Sequence, residues 1–320
     1  MSALVDIATA PHMAAPPLVP PAEPAEAVRI ADFARAASFE ATRPSDTDLD
    51  ALAAATPPGT RIYVSALPGR PAAEQIAVAR RLRARGFEPV PHLAARNFAD
   101  TMALDDYLAQ MTGAAGVSRL LIIGGDRDAP AGHFHHAIEV IESGLPQSHG
   151  IREVGIAGYP EGHPRVAPIE LDRALAAKIE AAAATGLGVH IVTQFGFAAE
   201  PMLGFVTRLR DTGIEQPIRI GLAGPASVAA LLRYATICGV KASARGLTRN
   251  AGLAKHLFGA TAPDAIIRAL VAARSGAQLG DVAPHFFTFG GLGATARWTA
   301  AVAAGRIALD RSGGFRVDPP

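Results

Sequence analysis

Eight short apolar runs, each followed by an Ala-rich amphipathic stretch, constrain this chain more than any other feature. The runs are Ala37–Thr42, Arg61–Ala66, Pro89–Ala94, Arg119–Gly124, Glu153–Tyr159, Val189–Phe195, Ile218–Ala223 and His285–Phe289. Helical patterns lie near 46–55, 72–85, 99–115, 133–143, 169–184, 201–212 and 226–237, with a longer helical region from about 243 to 278. Runs such as RLLIIGG and VHIVTQF are nearly continuous in apolar character, as a sheet buried on both faces requires. Eight such units in strict alternation predict an α/β protein, an eight-stranded parallel (β/α)8 TIM barrel. A doubly wound sheet is the alternative, because alternation alone does not show closure.

Residues 1–27 form a Pro- and Ala-rich extension without strand or helix periodicity, expected to be flexible, and 28–320 are expected to form one catalytic domain. Hydrophobic residues make up 49% and charged residues 18%, which excludes wholesale disorder. A net charge of +1, from 30 basic and 29 acidic side chains, argues against nucleic acid or an anionic membrane as partner. Cys238 stands alone, so no internal disulfide forms, which suits a reducing cytoplasm. No apolar run is long enough to span a bilayer, and an early Asp6 without a basic leader argues against a signal peptide. The expected location is cytoplasmic.

In a parallel barrel the chemistry sits at the carboxyl ends of the strands. Read in order, those ends carry Glu40, Ser65, His92, Asp126, Tyr159 with His163, and Gln194. Glu40 lies in the apolar run ASFEAT, where burial would raise its pKa toward a useful general-acid value; the alternative is a buried pair with Arg43 or another cation. Asp126 follows IIGG, where bare backbone lets a ligand come close, or where the carboxylate simply caps a turn. His133, His135 and His136 cluster after the fourth run, but His-x-His at the start of a helix does not put both rings on one side, so no metal site is expected. GLGATA at 291–296 fits a dinucleotide fingerprint, yet too little chain follows for the rest of such a sheet, which favours a Gly-rich turn.

SFE at 38–40, VPHLAARNF at 90–98, IIGGD at 122–126, GIAGYPEGHP at 155–164, VTQFGF at 192–197 and HFFTF at 285–289 together resemble the methylenetetrahydrofolate reductase family, from about residue 36 to 300. The resemblance implies an FAD-dependent oxidoreductase that interconverts 5,10-methylene- and 5-methyltetrahydrofolate with NAD(P)H by ping-pong hydride transfer, in one-carbon metabolism and methionine biosynthesis. It implies that Glu40 protonates N10 of the folate and that Asp126, Gln194, Tyr234 and Phe289 line the folate site. It assigns Ser65, His92, Gly125, Asp126, Tyr159, His163, Asp172 and Lys178 to the flavin, the last two with an apparent insertion before Gly186. Tetrahydrofolate derivatives are the implied partners, and a homo-oligomer is compatible with it. Departures stand at Ala66, Gly124, Ala230 and Gly291, where the family often carries larger or charged side chains, with Arg297 as a candidate substitute. They keep two other readings open, a methyltransferase-type barrel that binds folate without hydride transfer and a non-catalytic binding subunit.

Overall fold

The computed structural model describes residues 23–67, 69–240, 260–274 and 279–318. Helix α1 (Glu23–Arg35) leads into strand β1 (Ser38–Ala41), then α2 (Asp46–Ala55), β2 (Arg61–Val64), α3 (Ala72–Ala84) and β3 (Glu88–Ala94). After α4 (Thr101–Ala115) and β4 (Arg119–Ile123) come two short helices, α5 (Ala137–Glu142) and α6 (Leu145–Ser148). The chain continues through β5 (Glu153–Gly158), α7 (Pro168–Ala184), β6 (Gly188–Thr193), α8 (Ala199–Asp211), β7 (Ile218–Ala223) and α9 (Val228–Ile237). It ends with α10 (Asp264–Arg274), β8 (Val282–Phe287), α11 (Leu292–Ala303) and a hairpin of β9 (Ile307–Leu309) and β10 (Phe315–Val317). The eight long strands pair in parallel in the order β1-β8-β7-β6-β5-β4-β3-β2 and close on themselves. The fold is the TIM barrel, and the doubly wound alternative falls with that closure.

Local chemistry sets the element ends. Ser45 Oγ accepts from the Asp48 backbone N–H at 3.1 Å while Asp48 Oδ2 accepts from the Ser45 N–H at 3.0 Å, a reciprocal cap that starts α2. Asp100 caps α4 through Ala103 N–H at 2.8 Å, and Gly116 ends it with φ +57°. Side chains alternate between the two faces of each strand. Phe39, Ile62, Leu93, Ile122, Ile156 and Phe286 pack outward against the helices, while Tyr63, Val90, Leu121 and Val192 meet inside the barrel.

Four expectations are corrected. Helix α1 begins at Glu23, inside the stretch expected to be an extension, and it buries Ile30, Phe33 and Ala34 against α10 and α11. Arg268 fastens this corner, donating to both Glu26 carboxylate oxygens at 2.7 and 3.2 Å and to the carbonyls of Asp310 and Gly314 at 2.7 and 2.8 Å. The helix expected from 133 starts only at Ala137, because the Glu139 carboxylate accepts the His136 backbone N–H at 3.0 Å; His133 and His135 precede it. In the region expected to be helical from 243 to 278, Ala260–Thr261 pairs antiparallel with Ala226–Ser227 and only α10 is helical among the described residues; 241–259 and 275–278 lie outside them. The GLGATA stretch is the start of α11, where a Cβ on Gly293 would sit 3.0 Å from Ala51 of α2, so its glycine serves helix packing.

Phe33 is 1% exposed and its ring also carries the Arg274 guanidinium 5.6 Å from its centroid. Phe33→Ala is expected to lower stability by about 3–5 kcal/mol, read from urea unfolding, as truncating a fully buried aromatic does elsewhere. A loss below about 1 kcal/mol would mean that α1 does not belong to the core.

Candidate active site

At the carboxyl end of β1, Glu40 is only 5% exposed. Its Oε2 accepts from Ser65 Oγ at 3.0 Å, and its Oε1 contacts His285 Nε2 at 3.2 Å and lies 3.0 Å from His92 Nε2. The His92 contact is an ion-pair distance outside hydrogen-bond alignment. Burial works to raise the Glu40 pKa, but the charge of His92 beside it and the hydrogen bond from His285 outweigh it and hold the carboxyl well below its usual range. The sequence expectation of a raised pKa is therefore corrected, and the partners are histidines rather than Arg43. Ser65 and His92 line a cleft of about 380 Å³ that reaches outward past Thr42 and Arg43.

Beneath Glu40 the barrel interior stays polar. Tyr63 O–H and His190 Nε2 are 2.7 Å apart, and His190 Nδ1 lies 2.7 Å from Glu153 Oε1. Gly155 makes room for that imidazole, since a Cβ there would come 2.7 Å from His190 Nε2. Arg61 and Arg119 bind Glu153 from either side, at 2.9 and 2.7 Å, and close the floor. Burial raises the Glu153 pKa, and the hydrogen bond and charge of His190 with the two arginines reverse that and hold it low.

A second group gathers across the mouth. Tyr159 and His163 meet edge to face at 5.1 Å, and the charge of Asp126 reaches Tyr159, His163 and Cys238. Burial, helped by Asp126, pushes the Tyr159 phenol up; burial and Arg165 push the His163 imidazole down against Asp126. Gly125, at φ +93°, leaves the backbone bare where a Cβ would press within 3.0 Å of Ala94 Cβ. Gln194 shares a cavity of about 350 Å³ with Tyr159, His163 and Cys238, and its Oε1 accepts from the Phe195 backbone N–H at 3.0 Å.

The remaining wall is aromatic. Tyr234 and Phe289 stack at 4.2 Å with 15° between their planes, and Phe289 meets Phe195 at 4.8 Å. Phe287 joins Phe195 at 5.2 Å to His285 at 5.3 Å, so the wall runs on to the Glu40 cluster. Sequence reasoning found Tyr234 and Phe289 but missed Phe195, Phe287 and His285; the alternate spacing of His285, Phe287 and Phe289 was the available signal.

Two predicted positions lie on α7. Asp172 is half-exposed, 4.0 Å from Arg208, in a cleft of about 450 Å³ that it shares with Tyr159, Glu161 and Gly162. Lys178 is half-buried, and burial pulls its pKa down to about 8. Gly125, Asp126, Tyr159 and His163 thus fit the ring end of a flavin, and Asp172 shares a cleft with Tyr159. Among the described residues no group of three or more His, Cys, Asp or Glu side chains is arranged to hold a metal ion, and no helix is long and apolar enough to cross a membrane.

The closed parallel barrel gathers acids, imidazoles and an aromatic wall at its carboxyl-end mouth, the end at which barrels of this kind hold their sites. The family model described as methylenetetrahydrofolate reductase matches residues 49–251, and the chain belongs to that family. Methylenetetrahydrofolate reductase 2 of Saccharomyces cerevisiae is 30% identical over 161 residues, 47% of this chain and 26% of the yeast protein. The match therefore spans about a quarter of that relative. A Clostridium thermocellum protein that binds two copies of 5-methyl-5,6,7,8-tetrahydrofolic acid has the same fold, with a TM-score of 0.55 and 11% identity over 83% of this chain and 93% of that one. Glu40, His285 and Phe289 lie outside the family match, so the geometry alone places them beside the matched residues.

Glu40 and Glu153 set the acid limit of the fold. A carboxyl whose folded pKa is depressed contributes stability above its unfolded value, about 4.3, and that contribution disappears as pH falls toward the folded value. Unfolding free energy should therefore fall steadily below about pH 5. Glu40→Gln should be less stable than wild type at pH 7, with the gap narrowing by pH 3 in urea titrations. A constant gap would show that Glu40 is not ionised in the fold.

Proposed function

We propose that this chain interconverts 5,10-methylene- and 5-methyltetrahydrofolate, with FAD as cofactor and NAD(P)H as co-substrate. The observation that carries the reading is Glu40, a buried acid group in contact with Ser65 and His92, which line a cleft, with an aromatic face continuous from its His285 partner. When bound, FAD supplies the two-electron redox chemistry. Gly125, Asp126, Tyr159 and His163 are the residues that would hold its ring. Asp126, exposed at the loop edge, accepts hydrogen bonds from the amino groups of the pterin, and Gln194 offers an amide on the same side. Phe289 and Tyr234 present a face on which pterin or nicotinamide stacks in turn. Glu40 passes a proton to N10, opening the five-membered ring, and takes it back in the reverse direction.

Ala66 and Gly124, which bring a flavin no polar side chain, favour a second reading, a barrel that binds folate without hydride transfer. The visible spectrum of the purified protein separates the two. Bound flavin with turnover of methylenetetrahydrofolate supports the first reading; a colourless protein that binds folate without turnover supports the second.

The proton step gives the decisive variant. Glu40→Gln should accept electrons from NAD(P)H at near wild-type rate, yet pass them to methylenetetrahydrofolate about 10²–10⁴-fold more slowly, since a positioned acid is worth that much. Stopped-flow absorbance of each half-reaction measures this. Equal slowing of both halves would assign Glu40 to support of the site instead.

A further inference from the structure

The surroundings of Glu40 pose a question that its assigned task does not answer. A carboxylate that accepts from His285 Nε2 and Ser65 Oγ, with His92 Nε2 3.0 Å away, is held in its ionised form. The proton for N10 must then be stored elsewhere. His285 is the placed candidate. It is fully buried, its Nε2 meets Glu40 Oε1, and its Nδ1 is 2.9 Å from Ser38 Oγ, one inward position earlier on β1. Ser38 and His285 are opposed in register across β1 and β8, so the backbone pairing itself fixes this contact. A serine hydroxyl can donate to a neutral imidazole or accept from a charged one, so it serves both protonation states without moving a heavy atom.

We propose that His285 is a positioning residue that holds the catalytic proton, in a buried Ser38–His285–Glu40 relay whose exit is the Glu40 carboxyl. This rests on the reading of Glu40 as the donor to N10. In the step, the Nε2–H bond of the His285 imidazolium breaks as its proton moves to the Glu40 carboxylate, and N10 takes a proton from that carboxyl. The N10–H bond forms, the bond from N10 to the methylene carbon breaks, and its electron pair stays on N10. His285 is left neutral, and water resupplies one proton per turnover.

The groups facing the couple are Ser38 on β1, Tyr63 on β2, Ser65 just after it and His92 on β3. Tyr63 stands edge-on to His285 at 4.6 Å, with its hydroxyl turned toward His190. Arg61, Arg219 and Glu153 act on it from below. Arg61 and Glu153 offset each other there, at 2.9 Å, as do Arg219 and Asp281 at 3.0 Å.

The test uses His285→Gln, which keeps an N–H donor for Glu40 but cannot carry the proton, and Ser38→Ala, which barely changes shape. His285→Gln should lower kcat/KM for methylenetetrahydrofolate by about 10²-fold, with the alkaline limb of its pH profile moved to lower pH and the NAD(P)H half-reaction unchanged. Ser38→Ala should move the same limb in the same direction by less. A His285→Gln profile that overlays wild type would overturn the relay. ¹⁵N NMR of the histidine rings in the purified protein gives a readout free of turnover. One doubly protonated ring should persist above pH 6.5, the ordinary histidine value, and be absent from both His285→Gln and Glu40→Gln. If that signal survives in His285→Gln, or the ring that His285→Gln removes is neutral at pH 6, the relay is wrong. Should wild type lack folate turnover altogether, the functional reading fails, and the NMR result still decides the relay.

Discussion

A buried carboxylate shared between two imidazoles is the interaction on which the rest of this barrel depends. A closed eight-stranded barrel has an interior just wide enough to be filled by side chains, most often apolar ones. Here part of that space is given to Glu40, His92, His190, His285 and Tyr63, leaving Val90, Leu121 and Val192 as the apolar share. Burying such groups is costly unless each finds a partner, and losing one partner of a buried pair typically costs about 3–5 kcal/mol. The strands meet that demand by register, with Ser38 opposite His285 and Glu40 opposite Tyr63. Floor charges do the same below, where Arg61 and Arg119 enclose Glu153.

That arrangement divides the molecule into a scaffold and a mouth. The outward faces of the strands and the inner faces of the helices form one continuous apolar core, with α1 and the β9–β10 hairpin tied to α10 by Arg268. The mouth is supplied by loops and strand ends. Its aromatic wall draws on β6, α9 and β8 with their following loops, and reaches the Glu40 cluster through Phe287. A ligand lying on that wall therefore meets groups from both ends of the chain. The family match stops short of both ends, whereas barrel closure pairs β1 with β8.

Much of this was legible in the sequence because alternating apolar runs report burial directly. All eight long strands, and helices such as α2 and α3, follow from that pattern. Helix α1 did not, since its apolar residues Ile30, Phe33 and Ala34 fill only its second half and follow a Pro-rich stretch. The strand-end rule placed Glu40, Ser65 and His92 together. It misjudged the ionisation of Glu40, because the apolar neighbours in ASFEAT are local while His285 lies 245 residues away. The floor was written more openly than it was read: β2, β3, β4 and β5 open on Arg61, Glu88, Arg119 and Glu153, alternating in sign between adjacent strands. Arg119 meets Glu88 and Glu153 on the adjacent strands, while Arg61 reaches Glu153 across the barrel floor, so the pattern fits a closed barrel.

The two carboxylates of the mouth sit in opposite environments, and under the proposed function they divide their work accordingly. Asp126 sits on an exposed loop after β4, beside Tyr159 and His163, where water solvates it until a ligand arrives. In the proposed reading its job is recognition, and the cost of covering it is offset only by a ligand that brings hydrogen-bond donors of its own. Glu40 is already desolvated and already paired, so a ligand reaching it finds a group whose reorganisation has been met in folding. A planar ring with donors at one end and a basic nitrogen at the other satisfies both acids at once. A ligand lacking the donors leaves Asp126 buried without a partner, which makes the exposed carboxylate the stricter judge of what binds.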